Sequence, residues 1–157
     1  MGLLAAFAGA TLAFTSLSFA ADWQTTSWSM TPQQVAVATG AELISDPDKI
    51  VFGGELGAVG SYEAMGFAFK SEFYFDRAER LRAVRLMLAD LSRCEDLGAV
   101  MGSIYGSPVR SDRMGASWID ASAGDRITYT ASMDHPALTP ECFVAYTPLG
   151  STGARGL

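Results

Sequence analysis

A chain of 157 residues with 49% hydrophobic side chains is the size of one domain and can bury a sizeable core. Its formal net charge of −6 argues against nucleic acid as the main partner, because holding phosphates takes a concentrated basic surface. With one histidine, and two cysteines that lack ligand spacing, the sequence offers no metal-binding pattern, and no cofactor motif is recognisable in it.

The first 21 residues, MGLLAAFAGATLAFTSLSFAA, contain no charged side chain and are rich in Ala, Leu and Phe. Ser18 and Ala20 occupy the small-residue positions of a signal-peptidase site, which predicts a signal peptide over 1–20, export, and a periplasmic or secreted chain that begins at Ala21. After cleavage no stable membrane insertion is expected. The alternative is an uncleaved anchor, since about 19 weakly apolar residues can just span a bilayer.

Residues 28–40, WSMTPQQVAVATG, carry every signal of a short helix. Thr31 suits the N-cap, Pro32 the first helical position, and Gln34 the reciprocal place in a capping box. Met30 and Val35 stand where a hydrophobic staple would clamp the entrance, and Gly40 can supply the left-handed residue that ends the helix. So brief a helix is unstable alone, so packing has to hold it.

Asp46-Pro47-Asp48 and then GGELGAVG, residues 53–60, read as turns flanking short strands over 50–52 and 61–65. The glycines lack the Gly-Lys-Ser/Thr ending of a phosphate loop. From Phe67 onward the period becomes two. Phe67, Phe69, Phe73 and Phe75 alternate with Ala68, Lys70, Glu72 and Tyr74, and the return strand carries Val84, Leu86 and Leu88 on one face. A four-residue loop over 77–80 pairs Phe69 with Leu88, Phe73 with Val84, and Glu72 with Arg85 as an exposed ion pair.

A second helix is expected over 92–105, with Ser92 and Glu95 as its capping box and Cys94, Leu97, Val100, Met101, Ile104 and Tyr105 as its apolar stripe. Gly98 and Gly102 lie beside that stripe. Three strands follow, over 116–120, 126–133 and 142–146, the first two joined by a turn at 123–125. The tail over 149–157 is rich in Gly, Ser and Thr and is expected to be loose. The order predicts an α+β fold: one domain over 21–148, an antiparallel sheet built from two α-β-β-β units (28–89 and 92–148), with both helices packed on one face.

Cys94 falls on the apolar stripe of its helix and Cys142 opens the last strand, so in an exported chain the pair is expected to form a disulfide. The W-x-M-T-P-x-x-V stretch that begins at Trp28, followed by an antiparallel meander, resembles the helix-plus-strands module of small exported bacterial proteins, among them the BamE (SmpA/OmlA) lipoproteins and the β-lactamase inhibitor protein. The lipid-attachment cysteine of the BamE proteins has no counterpart here. The resemblance implies a periplasmic binding or assembly module and carries over no site residues.

From Phe67 to Arg93 six basic residues face four acidic ones, leaving a local charge of +2 in an otherwise acidic chain. Arg77, Arg80 and Arg82 cluster at the hairpin tip and are the expected contact surface for an acidic protein or a cell-envelope component. The alternative is a small hydrolase using His135, which follows Asp134; no nucleophile-base spacing supports it. The sequence does not specify an oligomeric state.

Overall fold

The computed structural model describes residues 23–133 and 138–150. The expected leader, His135 and residues 151–157 of the tail lie outside them. The chain forms α1 (Pro32–Thr39), β1 (Glu42–Val51), β2 (Gly54–Ala64), β3 (Phe67–Phe75), β4 (Leu81–Leu88), α2 (Cys94–Tyr105), β5 (Arg110–Asp112), β6 (Gly115–Asp120), β7 (Asp125–Ala131) and β8 (Cys142–Pro148). All eight strands belong to one antiparallel sheet in the order β1-β2-β3-β4-β8-β7-β6-β5. The expected α+β fold of two α-β-β-β units is therefore corrected: the sheet dominates, the helices are short, and four strands follow each helix.

The longer β1 and β2 and the unexpected β5 have local causes. The Gly-rich stretch over 53–60 lies almost wholly within β2, because the reversals on either side need only two residues each. Phe52 and Gly53 (φ 53° and 75°) link β1 to β2, and Met65 and Gly66 (φ 52° and 76°) link β2 to β3. Both residues of each turn are left-handed, the geometry of type I′ hairpins, yet neither turn begins with the Asn or Asp that usually announces one. Asp46-Pro47-Asp48 sits inside β1. That strand is a sheet edge with two irregularities in its pairing, and an edge tolerates proline. At the opposite edge β5 is three residues long, too short to show a period.

The helix α1 carries its expected caps. Thr31 Oγ1 accepts from the Gln34 N–H at 3.4 Å, Gln34 Oε1 accepts from the Thr31 N–H at 2.9 Å, and Gly40 ends the helix at φ 74°. Val35 is fully buried. Before α2, by contrast, it is Asp90 that caps, its carboxylate accepting from the Ser92 N–H at 3.1 Å to start a 3-10 turn over Leu91–Arg93. The expected Ser92/Glu95 capping box does not form.

The β3–β4 hairpin has the expected register, Phe69 opposite Leu88, Glu72 opposite Arg85 and Phe73 opposite Val84. Its loop is one residue tighter than expected. The Asp76 N–H donates to the Arg80 carbonyl at 2.9 Å, and Asp76 Oδ1 accepts from Ala78 and Arg80 N–H, so three residues make the reversal with Glu79 left-handed at φ 55°. An extra residue in β4, with Leu81 opposite Phe75 but Ala83 opposite Tyr74, then restores the pairing.

One face of the sheet holds the main core. Val35 from α1 and Leu97 and Met101 from α2 pack there with Phe69, Phe73, Val84, Leu86, Ile127 and Val144 from the strands. The disulfide Cys94–Cys142, with Cα atoms 5.9 Å apart, ties the first residue of α2 to the first residue of β8. The other face carries a small apolar cluster of Leu56, Tyr74 and Ala83, and beside it a group of charges.

Candidate binding surfaces

The structure treats the three tip arginines differently. Arg80 is occupied, its Nη2 lying 3.0 Å from Asp76 Oδ2 in an ion pair that leaves the arginine mostly exposed. Arg82 donates from Nε to the Phe52 carbonyl at 3.3 Å and is half-buried against the neighbouring β1–β2 turn. Arg77 is exposed and makes no ion pair among the described residues. Burial by itself raises the Asp76 pKa, but the hydrogen bonds from the Arg80 and Ala78 backbone and from the Arg80 side chain together outweigh it and hold the carboxyl below the usual carboxylate range. Asp76 thus organises the tip by fixing both the loop backbone and one guanidinium.

A cleft of about 340 Å³ opens beside this tip, with Arg80, Arg82, Trp28 and Pro148 in its wall. The segment before α1 forms that wall because the Leu81 N–H donates to the Met30 carbonyl at 2.9 Å and Trp28 Nε1 donates to Asp125 Oδ1 at 2.9 Å. The two tryptophans that precede α1, Trp23 and Trp28, therefore differ in environment. Trp23 is core, edge-on to Tyr62 and Phe73 at 5.2 and 5.7 Å, whereas Trp28 spans from the hairpin base to β7 and stays half-buried.

The expected exposed pair Glu72–Arg85 is buried, and this corrects the sequence reading. Glu72 is 1% and Arg85 6% exposed. Lys49 from the edge strand β1 reaches Glu72 Oε1 at 2.6 Å, Lys70 lies 3.2 Å from the same oxygen, and Tyr74 donates its hydroxyl to Oε2 at 2.7 Å. Burial by itself raises the Glu72 pKa, but the bonds from Lys49, Tyr74 and Arg85 outweigh it and lower the value from about 4.5 to about 2. The Tyr74 hydroxyl is pushed well above its ordinary value by burial and by its bond to that carboxylate. A carboxylate so fully committed to cations is a structural counter-ion and not a proton-transfer group near neutral pH.

Sequence reasoning missed Lys49 and Tyr74 as partners of Glu72. The alternation Lys70, Glu72, Tyr74 on one strand face was a usable signal. Lys49 gave none, because its approach depends on the irregular course of β1 over the neighbouring strands. Among the described residues no helix is long and apolar enough to cross a membrane, and no group of three or more His, Cys, Asp or Glu side chains is placed to hold a metal ion. Comparison with protein-family models, with curated proteins and with solved structures finds no match to this chain, so the resemblance of the Trp28–Gly40 stretch to exported helix-plus-strands modules rests on that stretch alone.

Proposed function

We propose that this chain is an exported, periplasmic binding module without enzymatic activity, which docks an acidic protein or cell-envelope component through the β3–β4 hairpin tip. The observation that carries the reading is the division of labour at that tip. Asp76 and Arg80 stiffen the loop, while the exposed Arg77 and the neighbouring Arg82 keep hydrogen-bonding capacity for carboxylate or phosphate oxygens. The loop backbone is preorganised by Asp76, so little backbone entropy is lost when a partner is engaged.

The disulfide supports the compartment, since such bonds persist where the surroundings are oxidising. The intact mass of the exported protein tests the leader: a chain beginning at Ala21 is expected, and a full-length chain retained in membranes would replace export by anchoring. The binding site is tested with the Arg77→Ala, Arg82→Ala double variant as bait against native envelope extract. Loss of the partner captured by the parent protein, at unchanged thermal stability, is the expected result. Undiminished capture would remove the tip from consideration.

A further inference from the structure

The two edges of the sheet are guarded differently. β1 is ten residues long, but Pro47 lies inside it, its pairing with β2 is irregular at two places, and Asp46, Asp48 and Lys49 charge it. These are devices that keep an edge from recruiting another strand. β5, at the other edge, contains no proline. Its three residues, Arg110, Ser111 and Asp112, pair with β6 in continuous register, and all are exposed. Only its shortness protects it.

The backbone of β5 turns one residue outward. In an antiparallel ladder the N–H and C=O groups of successive residues face alternate sides. The Ser117 carbonyl faces β5, since it accepts from the Val109 N–H at 2.8 Å, and the Met114 carbonyl faces β7, since it accepts from the Ala131 N–H at 2.7 Å. Arg110 and Asp112, opposite Ser117 and Gly115, therefore turn their backbone groups to β6. The N–H and C=O of Ser111, between them, point away from the sheet. A donor and an acceptor on one outward residue are what a two-fold antiparallel pair needs at its centre.

The side chains are complementary about the same centre. Arg110 and Asp112 stand two residues apart on one face of the strand and form an ion pair of 3.4 Å, with the side chains 80% and 52% exposed. Turned antiparallel about Ser111, the stretch meets itself with Arg110 opposite Asp112 and Asp112 opposite Arg110. Each charge then has an opposite charge beside it in its own strand and another directly across, an arrangement that stabilises a ladder. Pairing centred on Arg110 or on Asp112 instead sets like charges against each other. Val109, 66% exposed, adds apolar surface beside the stretch.

We propose that β5 is the contact strand of a two-fold homodimer, in which the Ser111 residues of two copies exchange backbone hydrogen bonds and Arg110 pairs with Asp112 across the junction. The sheet runs on from one copy into the next. So short a ladder, flanked by exposed ion pairs, makes a weak contact, and the dimer forms at high protein concentration and low salt.

Sedimentation equilibrium from micromolar to millimolar protein tests the pairing. The parent is expected to show a monomer–dimer equilibrium that salt weakens. Arg110→Asp and Asp112→Arg each set like charges across the junction and should weaken association at least about tenfold. The double variant carrying both changes is complementary to itself again and should regain the dimer, as should an equimolar mixture of the two single variants. Thermal midpoints are expected to stay at the parent's value, because the altered strand is exposed. If a variant unfolds, the parent alone decides, since hydrogen exchange at the Ser111 amide is expected to slow as protein concentration rises. Dimerisation indifferent to the single reversals, a folded double variant that remains monomeric, or Ser111 exchange independent of concentration would each overturn the proposal. A parent that stays monomeric at millimolar concentration would also overturn it and leave this edge to a foreign strand.

Discussion

Arg85 directs two guanidinium nitrogens, Nε at 2.9 Å and Nη2 at 2.7 Å, onto one carboxylate oxygen of Glu72 in the strand beside it. The rings of Tyr74 and Phe143 flank the guanidinium at 5.7 and 5.2 Å. Desolvating two charges is costly, and removing one partner leaves the other buried without compensation. Glu72→Gln should therefore lose roughly 3–5 kcal/mol of stability. Replacing both residues by methionine should lose less than the sum of the two single changes, measured by urea unfolding as a double-mutant cycle.

The same carboxylate predicts how stability depends on pH. Its folded pKa, about 2, lies below the ordinary value of 4.5. The stabilisation is thus fully present above pH 4.5 and is lost as pH falls towards 2, because the unfolded state takes up the proton first. The contribution is roughly 3 kcal/mol. Unfolding curves collected between pH 6 and pH 2 should show this decline in the parent protein and a flatter profile in Glu72→Gln. Parallel profiles would mean that another acid governs the acid limb.

The Cys94–Cys142 bond spans a separation of 48 residues. In the chain-entropy account, closing a loop of this size stabilises the folded state by roughly 4 kcal/mol. The Cys94→Ala, Cys142→Ala variant should lose about that much, and its unfolded state should expand, seen as a larger dependence of unfolding free energy on denaturant.

The β2–β3 turn offers a gain. Met65 is 54% exposed and held at φ 52°, a region that costs a long side chain but suits asparagine. Met65→Asn should raise stability by about 0.5–1 kcal/mol, read as a higher thermal midpoint.

What the sequence revealed and what it hid divide along physical lines. The α1 caps, the β3–β4 register and the cysteine pair were readable because each is specified by local chemistry or by an uninterrupted period. The β1–β2 hairpin was hidden because glycines inside a strand look like turn residues, while the true turns at Phe52 and Met65 carry side chains that usually avoid left-handed backbone. The burial of Glu72 and Arg85 is not legible because alternation identifies the face but not what covers it, and here the Lys49 side chain arrives from two strands away. The place of the β3–β4 turn is legible to within one residue, but only the structure separates the engaged Arg80 from the exposed Arg77.

Docking at the hairpin tip is tested by the affinity of the captured envelope partner for the parent protein and for the Arg77→Glu, Arg82→Glu variant, titrated at low and moderate salt. If the tip docks an acidic surface, the parent's affinity should fall with salt and charge reversal should weaken binding by at least about tenfold at low salt. An affinity unchanged by both charge reversal and salt, in a variant that unfolds at the parent's temperature, would show that the partner is held elsewhere on the chain.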